Sequence, residues 1–365
     1  MQTGIRYYAL FFLLSICVFT ADVNAQFSST INCLFPKSWE GKQAMVVAKP
    51  LDRSPIIDTI TILNRVAVFT INLPEPCPAY LWAEGNKDDL HFFIDSPRID
   101  IGFDPGATIK TLITGSSSSE FWADQLGIST RIREAQPDLR MDLFNALQAG
   151  DSLTASTLEQ QVDSLQLAHD SLLAKTILEN PSLASSWYLF ASNYFNYTQT
   201  LNLFGKLSAF SSYPSYQKIK EKLARKQVGN KATNFNLPTA TGTTIALSGL
   251  KNTYILLDFS NRYFLPCQQR HRDLRKLYKQ YHSLGLEIVT ISFEFNKTQG
   301  EEAIRQDHLP WIQVLDLMDS SSVIKSFAIE RMPDNVLLDA SKTMIERDLS
   351  ARELDAKLNY LLKKK

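Results

Sequence analysis

From Phe27 to about Thr114 the chain alternates short apolar runs with turn residues. Runs at 29–34, 44–49, 58–62, 66–71, 79–82, 91–94 and 99–103 each have strand length. The clearest is Arg65-Val-Ala-Val-Phe-Thr-Ile71, whose apolar positions fall on every second residue. Proline or glycine separates the runs (Pro74, Pro76, Pro78, Gly85, Pro97, Pro105). Seven short strands at this spacing predict an antiparallel β-sandwich or barrel, of which the sandwich is the expectation. Gly115-Ser-Ser-Ser-Ser119 then reads as a linker, with a helix starting at Ser119-Glu120.

Up to about Arg225 the period changes from two to that of a helix. In 152–180 the apolar residues Leu158, Val162, Leu165, Leu172, Leu173 and Ile177 share one face. Asn180-Pro181 stops this helix and is expected to cap the next, because proline suits a first helical turn. The following segment, 182–195, carries Trp187, Tyr188, Phe190, Tyr194 and Phe195. Such a stripe packs between helices or, on a sharper reading, forms a peptide-binding face. His169 falls on the apolar side of its helix and reads as a packed residue.

After Gly229 strands and helices alternate. A small hairpin (234–237 and 243–247) precedes strand 254–259, helix 266–282, strand 286–293, helix 299–307, strand 311–315 and helix 320–327. Strands 335–338 and 344–347 and helix 351–362 close the chain. This order predicts a sheet covered by helices on both faces. The chain therefore reads as multidomain α+β: a sandwich at 26–114, a helical spacer at 115–226 and an α/β domain at 227–365.

Composition changes this picture little. At 365 residues the chain is 44% hydrophobic and 21% charged, and 38 basic side chains balance 38 acidic ones. That balance gives no support for nucleic-acid binding. The N-terminus says more. Arg6 precedes the apolar run Ala9–Phe19, and Val23-Asn-Ala25 supplies small residues for cleavage, so residues 1–25 read as a secretory leader. Ile16 stands where a lipoprotein signal around Cys17 needs a small residue. No later stretch is long enough to span a membrane, and export to the periplasm or cell envelope is expected. Cys33, Cys77 and Cys267 then remain. Cys33 and Cys77 are read either as a disulfide, which export permits, or as two separate buried thiols. Asn196-Tyr-Thr198 and Asn296-Lys-Thr298 match the N-glycosylation pattern.

The chemistry concentrates in Asp258-Phe-Ser-Asn-Arg-Tyr-Phe-Leu-Pro-Cys267. A buried-looking strand runs into a short loop, and Pro266-Cys267 opens a basic helix. A thiol at a helix N-terminus is favoured as thiolate, and Arg270, His271 and Arg272 lie nearby in sequence. The competing reading is a small side chain kept for packing, whose burial raises the thiol pKa. The remaining charges of this helix (Arg275, Lys276, Lys279 and Asp273) read as a solvated face. His91, His169, His271, His282 and His308 have no metal spacing. There is no phosphate-binding glycine loop, and neither metal nor cofactor is expected.

The last third of the chain resembles the exported TlpA/ResA-like thiol–disulfide oxidoreductases of the thioredoxin superfamily. The matching residues are Val228-Gly-Asn-Lys-Ala-Thr-Asn-Phe-Asn-Leu-Pro238, Leu247-Ser-Gly-Leu-Lys251, Leu256-Leu-Asp-Phe259, Pro266-Cys267, Leu309-Pro-Trp311 and Met332-Pro333. Phe93-Ile-Asp95 and the Gly106…Thr114-Gly115-Ser116 turn look like the extra N-terminal domain of certain envelope members, which has no assigned activity. The resemblance implies a thioredoxin-like fold at 227–365 and a loop of the form Trp-Cys-x-Pro-Cys. Position by position, Tyr263 then stands for the tryptophan, Phe264 for the attacking cysteine and Leu265 for the variable residue. Pro266 and Cys267, the resolving cysteine, are retained. It further implies a cis peptide before Pro333 and a peptide groove bordered by Tyr263, Phe264, Pro266, Met332 and Pro333. Without sulfur at Phe264 no disulfide can close within the motif. The expected function is binding of exported polypeptides or thiol-containing envelope proteins, with weak or no dithiol exchange. The alternatives are a one-cysteine redox enzyme acting through Cys267 and a purely structural interaction module.

Overall fold

The computed structural model describes residues 27–84, 88–104, 110–135 and 137–363. The leader, Cys17, Gly85, Pro105 and Gly106 lie outside the described residues. The chain divides into two compact units, one ending at Asp124 and one running from Gln125 to Lys365.

The first unit is built from β1 (Phe27–Leu34), β2 (Gln43–Ala48), β3 (Ile56–Thr61), β4 (Val66–Leu73), β5 (Cys77–Ala83), β6 (Leu90–Ile94), β7 (Arg98–Asp104) and β8 (Lys110–Thr114). They form two four-stranded sheets, in the orders β4-β1-β7-β8 and β3-β2-β5-β6. In β4 Ala67, Phe69, Ile71 and Leu73 are buried while Val66, Val68, Thr70 and Asn72 face out. This is the alternation of a sheet with one buried face.

Two expectations need correction. The pairing is not wholly antiparallel, since β1 and β7 run parallel from Thr30↔Arg98 to Leu34↔Gly102. Between β4 and β7 the chain passes through β5 and β6 of the other sheet, and it returns in the direction of β1. Lys110–Thr114, read as part of a turn, is an eighth strand pairing with β7.

Nor is Gly115–Ser119 a free linker. Ser117 Oγ and the Ser118 amide both donate to Asp95 Oδ2 at 2.9 Å, and the Phe93 amide donates to Ser119 Oγ at 2.9 Å. Gly115 has φ +90°, and a Cβ there would lie 2.4 Å from the Arg98 carbonyl oxygen, so only glycine fits the turn. Cys33 in β1 and Cys77 in β5 are free, buried thiols on different sheets. Burial pushes each thiol up to about 12. The second of the two readings, separate buried thiols, is the one seen.

Helices α1 (Ser119–Ala135), α2 (Pro137–Gln148), α3 (Ser152–Glu179), α4 (Ala184–Ser192), α5 (Tyr197–Lys206) and α6 (Pro214–Lys226) follow. Asp151 caps α3 by accepting from the Thr154 amide at 3.1 Å. Helix α4 begins only at Ala184 with Leu183 at its N-cap, so Pro181 is not in its first turn as expected. The aromatic stripe is mostly core. Trp187 is 1% exposed, packs at tilted angles among Phe190, Phe210 and Tyr216, and donates from Nε1 to Ser215 Oγ at 2.8 Å. His169 is half-buried, with Nδ1 3.3 Å from the Asp170 carboxylate. Both glycosylation-like patterns coincide with helix caps. Asn196 makes a capping box with Gln199 at the start of α5, and Asn296 accepts from the Thr298 and Gln299 amides at the start of α8 (Lys297–Asp307).

The remainder comprises the hairpin β9 (Asn236–Pro238) and β10 (Thr244–Ala246), then β11 (Tyr254–Ser260), α7 (Leu265–Tyr281), β12 (Leu286–Glu294), β13 (Ile312–Leu317), α9 (Ser322–Phe327), β14 (Asp334–Asp339), β15 (Met344–Arg347) and α10 (Ala351–Lys363). The sheet order is β13-β12-β11-β14-β15, with the first three strands parallel and the last two antiparallel. Central strands β11 and β12 are buried on both faces, which accounts for apolar residues at consecutive positions in both. The period of two assigns the faces. Ile255, Leu257 and Phe259 pack with Val323 and Phe327 of α9 and with the β9–β10 hairpin. Leu256 packs with Leu274 and Leu277 of α7 and Leu354 and Leu358 of α10. Asp258, two residues after Leu256, therefore points under α7. No helix among the described residues is long and apolar enough to cross a membrane.

Candidate functional site

Strand β11 ends at Ser260, and four residues later Phe264 is the N-cap of α7. Pro266 lies in the first turn, where its missing N–H costs nothing. The loop between is bonded at almost every residue. Asn261 Nδ2 donates to the Phe293 carbonyl at 2.6 Å, and the Tyr263 amide donates to Asn261 Oδ1 at 2.9 Å. The Arg262 guanidinium reaches the Ala303 carbonyl at 2.8 Å and the Asp307 carboxylate, both on α8. Gln268 Nε2 donates to the Arg262 carbonyl at 2.8 Å. With the backbone held in this way, Tyr263 and Phe264 stand outward, 67% and 48% exposed. Phe295, one residue beyond β12, is 72% exposed.

Phe259 pairs with Asp334 across β11 and β14. Met332 and Pro333 therefore lie beside the point where β11 leaves the sheet, and the peptide between them is cis. Both side chains are half-buried. Tyr263, Phe264, Pro266, Met332 and Pro333 thus share the end of the sheet at which α7 begins.

Cys267 is completely buried. Its Sγ accepts a hydrogen bond from the Asn261 amide at 3.4 Å, and burial, the largest influence, raises its pKa above the ordinary thiol value. The expected cationic neighbours point elsewhere. Arg270 Nε donates to Asp258 Oδ1 at 3.1 Å and His271 Nε2 to Asp258 Oδ2 at 3.0 Å, while Arg272 meets Glu159 of α3 at 2.6 Å. Arg275 donates to the carbonyls of Asp307 and His308, and Arg275, Lys276 and Lys279 are exposed, as a solvated face requires. We expect iodoacetamide to label Cys267 slowly in the native protein and rapidly once it is unfolded. Equal rates would contradict the burial.

Asp258 is a residue of this site that the strand pattern does not single out. It is fully buried and also accepts from Thr290 Oγ1 at 2.9 Å, which in turn accepts from Trp311 Nε1 at 2.9 Å. Burial alone would raise its pKa. The His271 hydrogen bond and ring, the Arg270 charge and the Thr290 hydrogen bond outweigh that and hold it below the usual 3.8. The available signal was an acid inside an apolar strand, followed twelve and thirteen residues later by Arg270 and His271. Phe295 had no such signal.

Residues 228–347 match the model of the AhpC/TSA family. The thiol-disulfide oxidoreductase ResA of Bacillus cereus is 23% identical over 155 residues, which is 42% of this chain and 86% of that protein. A solved thiol-disulfide oxidoreductase from Bacteroides fragilis is 31% identical and aligns over 36% of this chain and all of its own, with a TM-score of 0.34. A thioredoxin-like protein from Bacteroides caccae is 16% identical over 55% of this chain and 84% of its own, with a TM-score of 0.41.

Proposed function

The C-terminal domain is a TlpA/ResA-like redoxin, and on that premise we propose that the protein binds extended polypeptides of the cell envelope, including cysteine-containing ones, without dithiol exchange in this motif. One observation carries this reading. At the head of α7, Tyr263 and Phe264 are exposed on a hydrogen-bonded loop at the same end of the sheet as Met332 and Pro333, while the sulfur of the motif is buried. In the family loop the position of Phe264 is that of the attacking cysteine. A ring there can bury apolar surface against a bound chain but can form no mixed disulfide. The ResA of Bacillus cereus and the Bacteroides fragilis protein are named for thiol–disulfide chemistry, and the family resemblance assigns Cys267 to the resolving position. The apolar run ahead of Ala25 supports export, which would bring the groove to such chains.

The test uses a reduced, carboxymethylated polypeptide, which has no thiol to exchange. Fluorescence anisotropy should show binding to the wild type, weakened about tenfold or more in Phe264→Asp at unchanged melting temperature. Burying one such ring is worth about 1.5–3 kcal/mol, and 1.4 kcal/mol is tenfold. Equal affinity for the two proteins would refute the site.

A further inference from the structure

The two residues before Met332 are both gripped by the helical layer. Lys222 and Lys226 lie one turn apart on α6 and therefore share a face. Lys222 Nζ donates to Glu330 Oε1 at 2.7 Å, and Lys226 Nζ donates to Oε2. Lys226 is itself only 9% exposed. Burial would raise the Glu330 carboxyl, but Lys226 and Lys222 hold it below its ordinary value. The next residue, Arg331, places its guanidinium 3.5 Å from the centre of the Tyr194 ring, a close cation–π contact. That ring cannot swing away freely. Tyr194 Oη donates to Asp348 Oδ2 at 2.6 Å, and the same oxygen accepts the Tyr197 amide at 3.0 Å. Asp348 directly follows Arg347, which is buried against Asp334 at 3.3 Å and the Phe327 carbonyl at 3.2 Å.

The segment so held is the connection from α9 to β14. Ala328 ends α9 in the left-handed region, and Ile329 is tied back by a 2.9 Å hydrogen bond from its amide to the Ile324 carbonyl. From Glu330 the chain reaches Met332 and Pro333 in two residues. A bidentate charge clamp from α6 on Glu330 and an aromatic ring from the α4–α5 junction on Arg331 thus act on consecutive positions of one short segment.

We infer that α4–α6 position the Met332–Pro333 wall of the groove, through Lys222 and Lys226 on Glu330 and Tyr194 on Arg331, and thereby set its affinity for polypeptide. This rests on the reading of Tyr263, Phe264, Met332 and Pro333 as a polypeptide site. The helical layer is then a positioning element of that site rather than a spacer. Its effect passes through the backbone it holds.

The test uses the full chain with methyl-labelled methionine, and reads the Met332 methyl resonance and the affinity for the carboxymethylated polypeptide together. Glu330→Gln should shift the Met332 signal and weaken binding about fivefold, the lower end of ordinary coupling between sites. Glu330→Lys alone should do both more strongly, and adding Lys222→Glu and Lys226→Glu should restore both towards wild type. A shifted methyl with unchanged affinity would overturn the inference, as would an unmoved methyl or a failure of the charge-reversed combination to restore either readout. A wild type that binds no polypeptide would refute the groove and, with it, any effect on affinity. The methyl signal would still decide whether α4–α6 position the segment.

Discussion

Phe264→Cys is expected to give the protein a disulfide-forming pair and dithiothreitol-driven insulin reduction well above the wild-type level. The substitution puts a thiol at the N-cap of α7, where the Phe264 side chain is 48% exposed. Position 264 stands ahead of the first helical N–H groups, whose partial positive charge favours thiolate. Cys267 lies three residues on, shielded from solvent, as a resolving sulfur should be. It needs no exposure of its own, because it attacks only a mixed disulfide formed above it. Mass spectrometry of the oxidised variant should show the loss of two hydrogens, located by digestion between positions 264 and 267. Adding Cys267→Ser should leave the new thiol trapped on the substrate. A variant that folds but forms no disulfide would show that the loop, and not only the missing sulfur, has departed from the family's geometry.

Asp258→Leu should be the most damaging single substitution in the C-terminal domain. It removes the carboxylate that satisfies Arg270 and His271 and leaves both buried without it. Breaking a buried pair on one side costs about 3–5 kcal/mol, a large share of the roughly 5–15 kcal/mol that holds a folded protein together. Equilibrium unfolding in urea should show this as a lower midpoint with an unchanged slope. Replacing Arg270 and His271 by leucine as well should recover part of the loss, because nothing charged is then left unpaired. The pH dependence follows from the lowered pKa of Asp258. Its contribution is complete above the unfolded aspartate value of about 3.9 and is lost as pH falls through the lower folded value. Wild type should therefore lose stability below about pH 4 more steeply than Asp258→Asn. Parallel acid limbs would contradict the assignment.

Period and punctuation made most of the C-terminal domain legible. The apolar residues of Tyr254–Ser260 and Leu286–Glu294, interrupted by Asp258 in the first and by Glu287, Thr290 and Ser292 in the second, mark strands buried on both faces, and Pro266 marks the start of a helix. Residues whose role depends on a distant partner were not legible. The Arg270, His271 and Arg272 cluster looked like an environment for Cys267, because sequence shows proximity along the chain and not direction. One turn of helix aims two of these residues at Asp258 and one at Glu159. Glu330 and Arg331 carry no signal in the sequence, since α6 and Tyr194 lie more than a hundred residues away. The parallel β1–β7 pairing was hidden for a similar reason. Alternation reports which face a strand buries, not the direction of its neighbour.

Insulin reduction by the wild-type protein, with dithiothreitol as the electron source, tests most directly whether the groove has been separated from dithiol chemistry. The rate should equal that of dithiothreitol alone and should not change on Cys267→Ser. Clear turnover above that background, abolished by Cys267→Ser, would contradict it.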